Sequence, residues 1–445
     1  VLDKTMEARS ANKAHVFRNR NFALLFWGIL VSNVAHILFS FAISYFILEI
    51  SSTTYGEATA TLIQSAYLAV NSIILLVLTP LGGVLADRWN KAKIMYVTDF
   101  IRGGTILLSG AFVFLTPTLT GDLIALFAMN VVLSVNAGIF GPASSSLLRF
   151  IVADHEIQQA SSYLQGSANF QSIIGLILCG IVYANVDMIW IFVLNGMAYL
   201  ISAFTELFIR YEPKISTEKI RLRTVLSDSK DGLKYLFGQK AVLLILVMAL
   251  FLNFFFNPIF AVGFPNFIQF RLANEPQYLF QAFLSPTAWV AAIEIIFSIA
   301  AIVMAMIISS RPPREKQGKR LKFTLGALSL PALVIAVTLV LYYQDRLGID
   351  PTLLIIAGSM FLLGLGNVAF NIPVSVIMQQ RVDKAMLGKV SSVSNVISMG
   401  LIPFSSLLGG LIISKISPSA LYVVCAAGMV LVSTWYILHP RANEI

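Results

Sequence analysis

Glu294 is the residue best placed to do chemistry. It stands in an apolar run, 286–309, with Thr287, Ala291, Ser298 and Ala305 on the same helical face and no basic residue within a turn. At about 1.5 Å per residue it lies roughly 12 Å into that run, near the middle of a hydrocarbon layer about 30 Å thick. An ionisable side chain at such depth is costly and usually faces protein or a watery cavity. It can take up a proton in one state and release it in another, or attract a cationic solute. The competing reading is a permanently protonated acid bonded to another helix. His36 is the second candidate, because a neutral imidazole exchanges protons near physiological pH, although a packing role fits it as well.

Amides recur at helical spacing around these two. One run offers Asn33, His36 and Ser40, and another Asn130, Ser134 and Gly138. A third offers Asn253, Asn257, Phe260 and Phe264, and a fourth Asn367 and Asn371. Such stripes can wall a polar cavity, and they can equally hydrogen-bond one helix to the next. Gln64 with Asn71, Gln165 with Asn169, and Asn395 with Ser398 read as packing or gating pairs. Asp99 and Arg102, three residues apart, are expected to form an ion pair on one helix face. Glu206 is close enough to a run's end to reach the interface. Cys179 and Cys425 lack metal-ligand spacing and read as small buried hydrophobes. No phosphate-binding loop, metal cluster or nucleophile elbow is present, which argues against ATP-driven pumping and enzymatic chemistry.

The elements that must hold these residues follow from composition. Of 445 residues, 57% are hydrophobic and 12% charged, about half the charged share of a soluble domain. That much apolar surface has to face lipid. Twelve runs are long enough to cross a bilayer as helices: 21–48, 60–81, 94–116, 122–147, 160–184, 187–209, 241–267, 286–309, 321–343, 351–378, 390–414 and 418–438. They are too long and too uniformly apolar for barrel strands. The first apolar stretch is also too long for a cleavable signal.

The net charge of +9 reads as topology. Lys and Arg crowd the N-terminus, the loop with Arg88, Lys91 and Lys93, the central stretch 210–240, and the loop from Arg311 to Lys322. The opposite loops hold only Arg271, Arg346 and Lys415. Both termini are therefore expected in the cytoplasm. No basic face interleaves with exposed aromatics, so nucleic acid is not an expected partner. The expected organisation is a cytoplasmic segment 1–20, a six-helix bundle 21–209, an amphipathic cytoplasmic linker 210–240, a second bundle 241–438 and a tail 439–445. The halves echo each other: Ser161-Ser162 and Gly180 recur 230 residues later as Ser391-Ser392 and Gly410. Pro142 is expected to end the fourth span, and Pro373 falls near the end of the tenth.

Gly82-Gly83-Val84-Leu85-Ala86-Asp87-Arg88-Trp89-Asn90-Lys91-Ala92-Lys93 follows the second run. It resembles the signature loop of the major facilitator superfamily, with Asn90 where that pattern usually has Gly. The resemblance covers the chain from about residue 17. Phe17-Arg18-Asn19-Arg20-Asn21-Phe22, Asp99-Phe100-Ile101-Arg102, Gly388-Lys389-Val390 and the run Pro403 to Gly410 most resemble the bacterial macrolide-efflux branch.

The resemblance implies an all-α membrane fold of two six-helix bundles related by a pseudo-twofold axis. It implies a central cavity walled by the first, fourth, seventh and tenth spans, hence by Asn33, Asn130, Asn253, Asn257, Phe260, Phe264, Asn367 and Asn371. It implies a cytoplasmic gate at Gly83, Asp87, Arg88 and Lys91, to which we add the neighbouring Asp99–Arg102 pair. The expected activity is efflux of small amphipathic organic compounds by a monomer in the bacterial cytoplasmic membrane. It would be driven by protons through Glu294 and His36, with no cofactor. Import, facilitated diffusion, and lipid or siderophore export are the alternatives. Two departures from the family pattern are Leu176, where antiporters often carry Pro after Gly, and the second-half loop Arg311-Pro312-Pro313-Arg314, which lacks the signature Asp.

Overall fold

A computed structural model describes residues 16–115, 118–153, 156–211, 230, 233–309, 318–382 and 386–443. The start of the N-terminal segment, most of the expected linker and the Arg311–Arg314 loop lie outside these residues. So do the side chains of Asp87, Arg88, Gln165, Asn169 and Asn395.

The described elements are helices and turns. Helix α1 (Arg20–Arg88) has 69 residues. Straight, it would be about 100 Å long, roughly three times the hydrocarbon thickness. It breaks at Gly56, whose φ of 76° is a left-handed conformation open to glycine at little cost. The two arms then run side by side: Gln64 Nε2 donates to Ser44 Oγ at 2.7 Å, and Leu48 packs with Ala60. Helix α1 thus supplies the first two spans, and the helical hydrogen bonding runs on beyond the apolar segments that define them in the sequence.

Four spans follow in the first half: α2 (Lys91–Leu115), α3 (Leu119–Ile151), α4 (Ile157–Asn185) and α5 (Met188–Leu207). The seventh span is composite. Helix α6 (Lys240–Pro258) passes through a π-helical turn (Ile259–Gly263) into α7 (Phe264–Phe270). The rest are α8 (Pro286–Ser309), α9 (Gly318–Tyr343), α10 (Ile349–Arg381), the pair α11 (Leu387–Met399) and α12 (Ile402–Lys415), and α13 (Pro418–Leu438). The eleventh span divides at 400–401 because Pro403 cannot donate to the carbonyl of Met399. With α1 counted for two, the described helices long and apolar enough to cross a membrane give twelve spans.

Helix α3 continues past Pro142 to Ile151, and α10 past Pro373 to Arg381. Neither proline ends its helix, so the expectation for Pro142 is corrected. Neighbouring helices in a membrane bundle can satisfy the one backbone group that a proline frees.

Helices α1–α5 pack on one another, as do α6–α13, and the two sets meet chiefly through α12 on α1 and α8 on α4. The repeated glycines mark these seams. A Cβ on Gly180 of α4 would lie 3.0 Å from the Cα of Ala288 on α8, and one on Gly410 of α12 would collide with Ser65 of α1. The 230-residue offset is therefore the trace of two equivalent contacts between two similar bundles. Around the perimeter, Leu108, Phe323 and Leu431 are 74%, 79% and 70% exposed, the apolar rim that a spanning bundle turns to lipid.

Candidate functional site

The two halves are fastened at the end of the molecule that carries the Gly56 turn. Gln64 Nε2 donates to the carbonyl of Ala261 at 3.0 Å. Pro265, four residues on, has no N–H to offer that carbonyl. Asn266 Nδ2 donates to Thr61 Oγ1 at 2.8 Å, and Arg271 stands 3.8 Å from Glu57, both about half exposed. Toward the opposite end, α1 and α11–α12 separate around a cavity of about 500 Å³ lined by Ser72, Thr79, Gly83, Pro142, Val396 and Met399. The contacts between the halves thus gather at the Gly56 end, and the space between α1 and α11–α12 lies toward the Asp87 loop.

Glu294 lines a cavity of about 530 Å³ between the halves, shared with Ile37, Phe41, Ser172, Leu176 and Asn367. Its α8 neighbours Ser298, Ala301 and Ala305 line the same wall, whereas Thr287 and Ala291 of the expected face do not. Among the described residues its carboxylate has no ion pair. Asn367 also lines a smaller space of about 150 Å³ with Asn253, Phe256 and Asn371, so one amide touches both cavities. Asn371 Nδ2 donates back to Asn367 Oδ1 at 3.1 Å. Asn253 Nδ2 donates at 3.1 Å to the carbonyl of Ser398, one of the groups left open where α11 ends.

The other amides are spent between helices. Asn33 Nδ2 donates to Gln171 Oε1 at 3.0 Å, and Asn257 Oδ1 accepts from Ser406 Oγ at 2.8 Å. Asn130 is 3% exposed and donates to the carbonyl of Tyr67 at 2.7 Å, so it joins α3 to α1 rather than walling either cavity. Phe264 is buried in the core of the second half, while Phe260 is half-buried against Phe256, ring centres 4.5 Å apart. Leu176, in place of the antiporter proline, is buried in the Glu294 cavity wall. The glycine before it still allows close approach: a Cβ on Gly175 would lie 2.8 Å from Ile37.

His36 is exposed, with Ser40 Oγ 3.4 Å from its Nε2 and its ring centre 6.3 Å from that of Tyr199. Arg102 lies over the Tyr199 and Phe140 rings and pairs with Asp99 at 3.0 Å, all inside the first bundle. Gly82 touches the carbonyl of Gly138, the close helix approach expected of this glycine pair, whereas Gly83 meets open space. Lys91 is buried with its Nζ 4.8 Å from the Phe150 ring centre, and its backbone N–H donates to the Tyr211 hydroxyl at 2.6 Å. Burial raises the Tyr211 hydroxyl above the ordinary tyrosine range, so it stays protonated at neutral pH.

Sequence reasoning missed Glu57, Thr61, Asn266, Gln171 and Ser172. Arg271 was legible as a rare cation among the sparsely basic loops. Asn266 carried no signal, because its role depends on the π-helical turn just before it.

The family model described as Major Facilitator Superfamily matches residues 25–405. An "Uncharacterized MFS-type transporter YkuC" from Bacillus subtilis is 25% identical over 255 residues, 56% of each chain. A "Putative bacilysin exporter BacE" from Bacillus amyloliquefaciens is 30% identical over 232 residues, 49% of this chain and 55% of that protein. The chain thus spans little more than half the length of these two relatives. Among solved structures, a D-xylose-proton symporter matches with a TM-score of 0.71 at 12% identity, over 97% of this chain and 100% of that one. That likeness shows the fold.

Proposed function

This chain belongs to the major facilitator superfamily, and from that premise we propose that it exports small amphipathic organic compounds in exchange for protons. The observation that carries the reading is Glu294 on the wall of a cavity between the halves, without a described counter-ion. An acid held by a fixed cation has little reason to change its proton, whereas one on a cavity wall can respond to which side has access. Most of the 31 Lys and Arg residues gather on alternate loops, which favours cytoplasmic termini in a bacterial cytoplasmic membrane. The Asp87 loop is then inside, and the conformation described faces the cytoplasm.

In this scheme the bundles 21–209 and 241–438 rock about the cavity, as a monomer. Loading occurs from the cytoplasmic side. Outward opening breaks the Glu57–Arg271, Thr61–Asn266 and Gln64–Ala261 contacts, and the loop of Gly83, Asp87, Arg88 and Lys91 latches the inner side. A proton from outside then occupies Glu294, with His36 as a second carrier. Apolar Ile37, Phe41 and Leu176 beside polar Ser172 and Asn367 suit an amphipathic solute. The motifs that resemble those of the macrolide-efflux branch, and the relative named as a bacilysin exporter, support this direction and class.

The test is drug-panel efflux from a sensitive bacterial host, with transport in vesicles under an imposed pH gradient. Glu294→Gln is expected to abolish gradient-driven efflux at unchanged expression. Full efflux by that variant removes Glu294 from the mechanism. Leu176, in place of the antiporter proline, favours a second reading as a symporter or facilitator. Uptake driven by an inward proton gradient would establish it.

A further inference from the structure

We propose that Asp99 and Glu206 form a proton-binding site inside the first bundle, sharing one proton beside Arg102. This goes beyond the reading of Glu294, lies in the other half of the molecule and does not depend on it.

Asp99 and Glu206 are both 0% exposed, and Arg102 is 6% exposed. Arg102 Nη1 donates to Asp99 Oδ1 at 3.0 Å. Asp99 Oδ2, both carboxyl oxygens of Glu206 and the hydroxyl of Ser202 are buried with no well-formed hydrogen bond, although Ser202 lies against both acids. The site therefore contains two carboxyl groups, one guanidinium, one hydroxyl and three carboxyl oxygens without a well-formed hydrogen bond. Buried oxygens in that state are costly, and a second uncompensated negative charge in a low dielectric costs more. One proton resolves both problems. It makes one acid an O–H donor to the other carboxylate or to Ser202, and leaves one negative charge against Arg102. Two acids set around one guanidinium and one hydroxyl titrate as a pair.

The surroundings keep water out. A Cβ on Gly28 of α1 would lie 2.6 Å from Thr205 and 3.3 Å from Ser202, and one on Gly103 of α2 would lie 2.8 Å from the carbonyl of Gly196 on α5. Three helices thus close on the acids at near backbone contact. The polar and charged groups that face them are Arg102 on α2, Tyr199 and Ser202 on α5, and His36 on α1, while α3 contributes the Phe140 ring. Glu206 stands in the last turn of α5 and His36 is exposed. The series Glu206, Asp99, Arg102, Tyr199, His36 therefore runs from the Asp87-loop end of the bundle to the His36 imidazole.

The experiment needs no transport substrate. The full chain, in lipid nanodiscs, is examined by infrared difference spectroscopy across a pH series in H₂O and D₂O, reading the C=O band of protonated carboxyl groups. Glu294→Gln identifies the band of that acid. Glu206→Gln and Asp99→Asn are each expected to remove the same single band, worth one carboxyl, and the double substitution to remove no more. Size-exclusion profiles matching the parent protein show that the variants are folded. A spectrum unchanged by both single substitutions overturns the proposal, and so do two separate bands lost independently.

Discussion

The two bundles hold their buried acids in opposite ways. In the first, Asp99 and Glu206 are sealed between helices next to Arg102, with no measurable exposure. In the second, Glu294 lies on a cavity wall with no described cation beside it. The first arrangement sets protonation against packing, because any change of charge must be absorbed by neighbours that have no room to move. The second sets it against access, since the cavity can open and close around the carboxyl. One fold can thus provide a fixed electrostatic element and a responsive one at similar sequence depth.

The comparison breaks most sharply at its cation. Arg102→Met leaves two acids buried without compensation and is expected to lower stability by about 3–5 kcal/mol, read as the midpoint of unfolding in detergent. Survival of that variant at parent stability would mean that the acids are already both neutral. Next comes the packing that seals the first bundle. Gly82→Ala drives a Cβ into the backbone carbonyl of Gly138, which cannot rotate away, at an expected cost of about 1–3 kcal/mol. Helix crossing at the Asp87 loop should loosen with it, measurable as faster cysteine labelling there.

Smaller effects sharpen the contrast. Glu294→Gln removes a charge that no described partner compensates, so its expected cost is below about 1 kcal/mol, even though transport is lost. Unfolding midpoints for this variant and Arg102→Met, taken side by side, test the distinction directly. Arg271→Gln breaks a half-exposed pair 3.8 Å apart and the Arg271 contact with the Tyr343 ring, for about 0–1 kcal/mol. Its expected signature is a shift toward the state open at the Gly56 end, seen as greater spin-label separation across that seam.

Much of the fold was readable from apolar run length, because a bilayer admits few ways to satisfy a backbone. Spans three to six and eight to ten were legible almost as they stand. The first two merged into one helix broken at a glycine. The seventh and eleventh were interrupted near Pro258–Pro265 and Pro403, where a missing N–H redirects the backbone. The site was read less evenly. Glu294, Asn253, Asn367 and Asn371 carried their signal as polar groups at helical spacing. Asn130 carried the same signal and is spent on the Tyr67 carbonyl. The composition of a stripe does not say which way its helix is turned.

Sequence by itself determined that this chain crosses a membrane many times, that its halves repeat, and that an acid stands within the eighth apolar run. Those are local properties: hydropathy, period and spacing. Tertiary structure decided which end is closed, which acids share a cation and which amides reach a cavity. Each of these depends on rotations of helices about their axes and on gaps of a few ångströms between segments as far apart in the chain as Thr61 and Asn266 or Ser65 and Gly410, and neither quantity is written in any one segment.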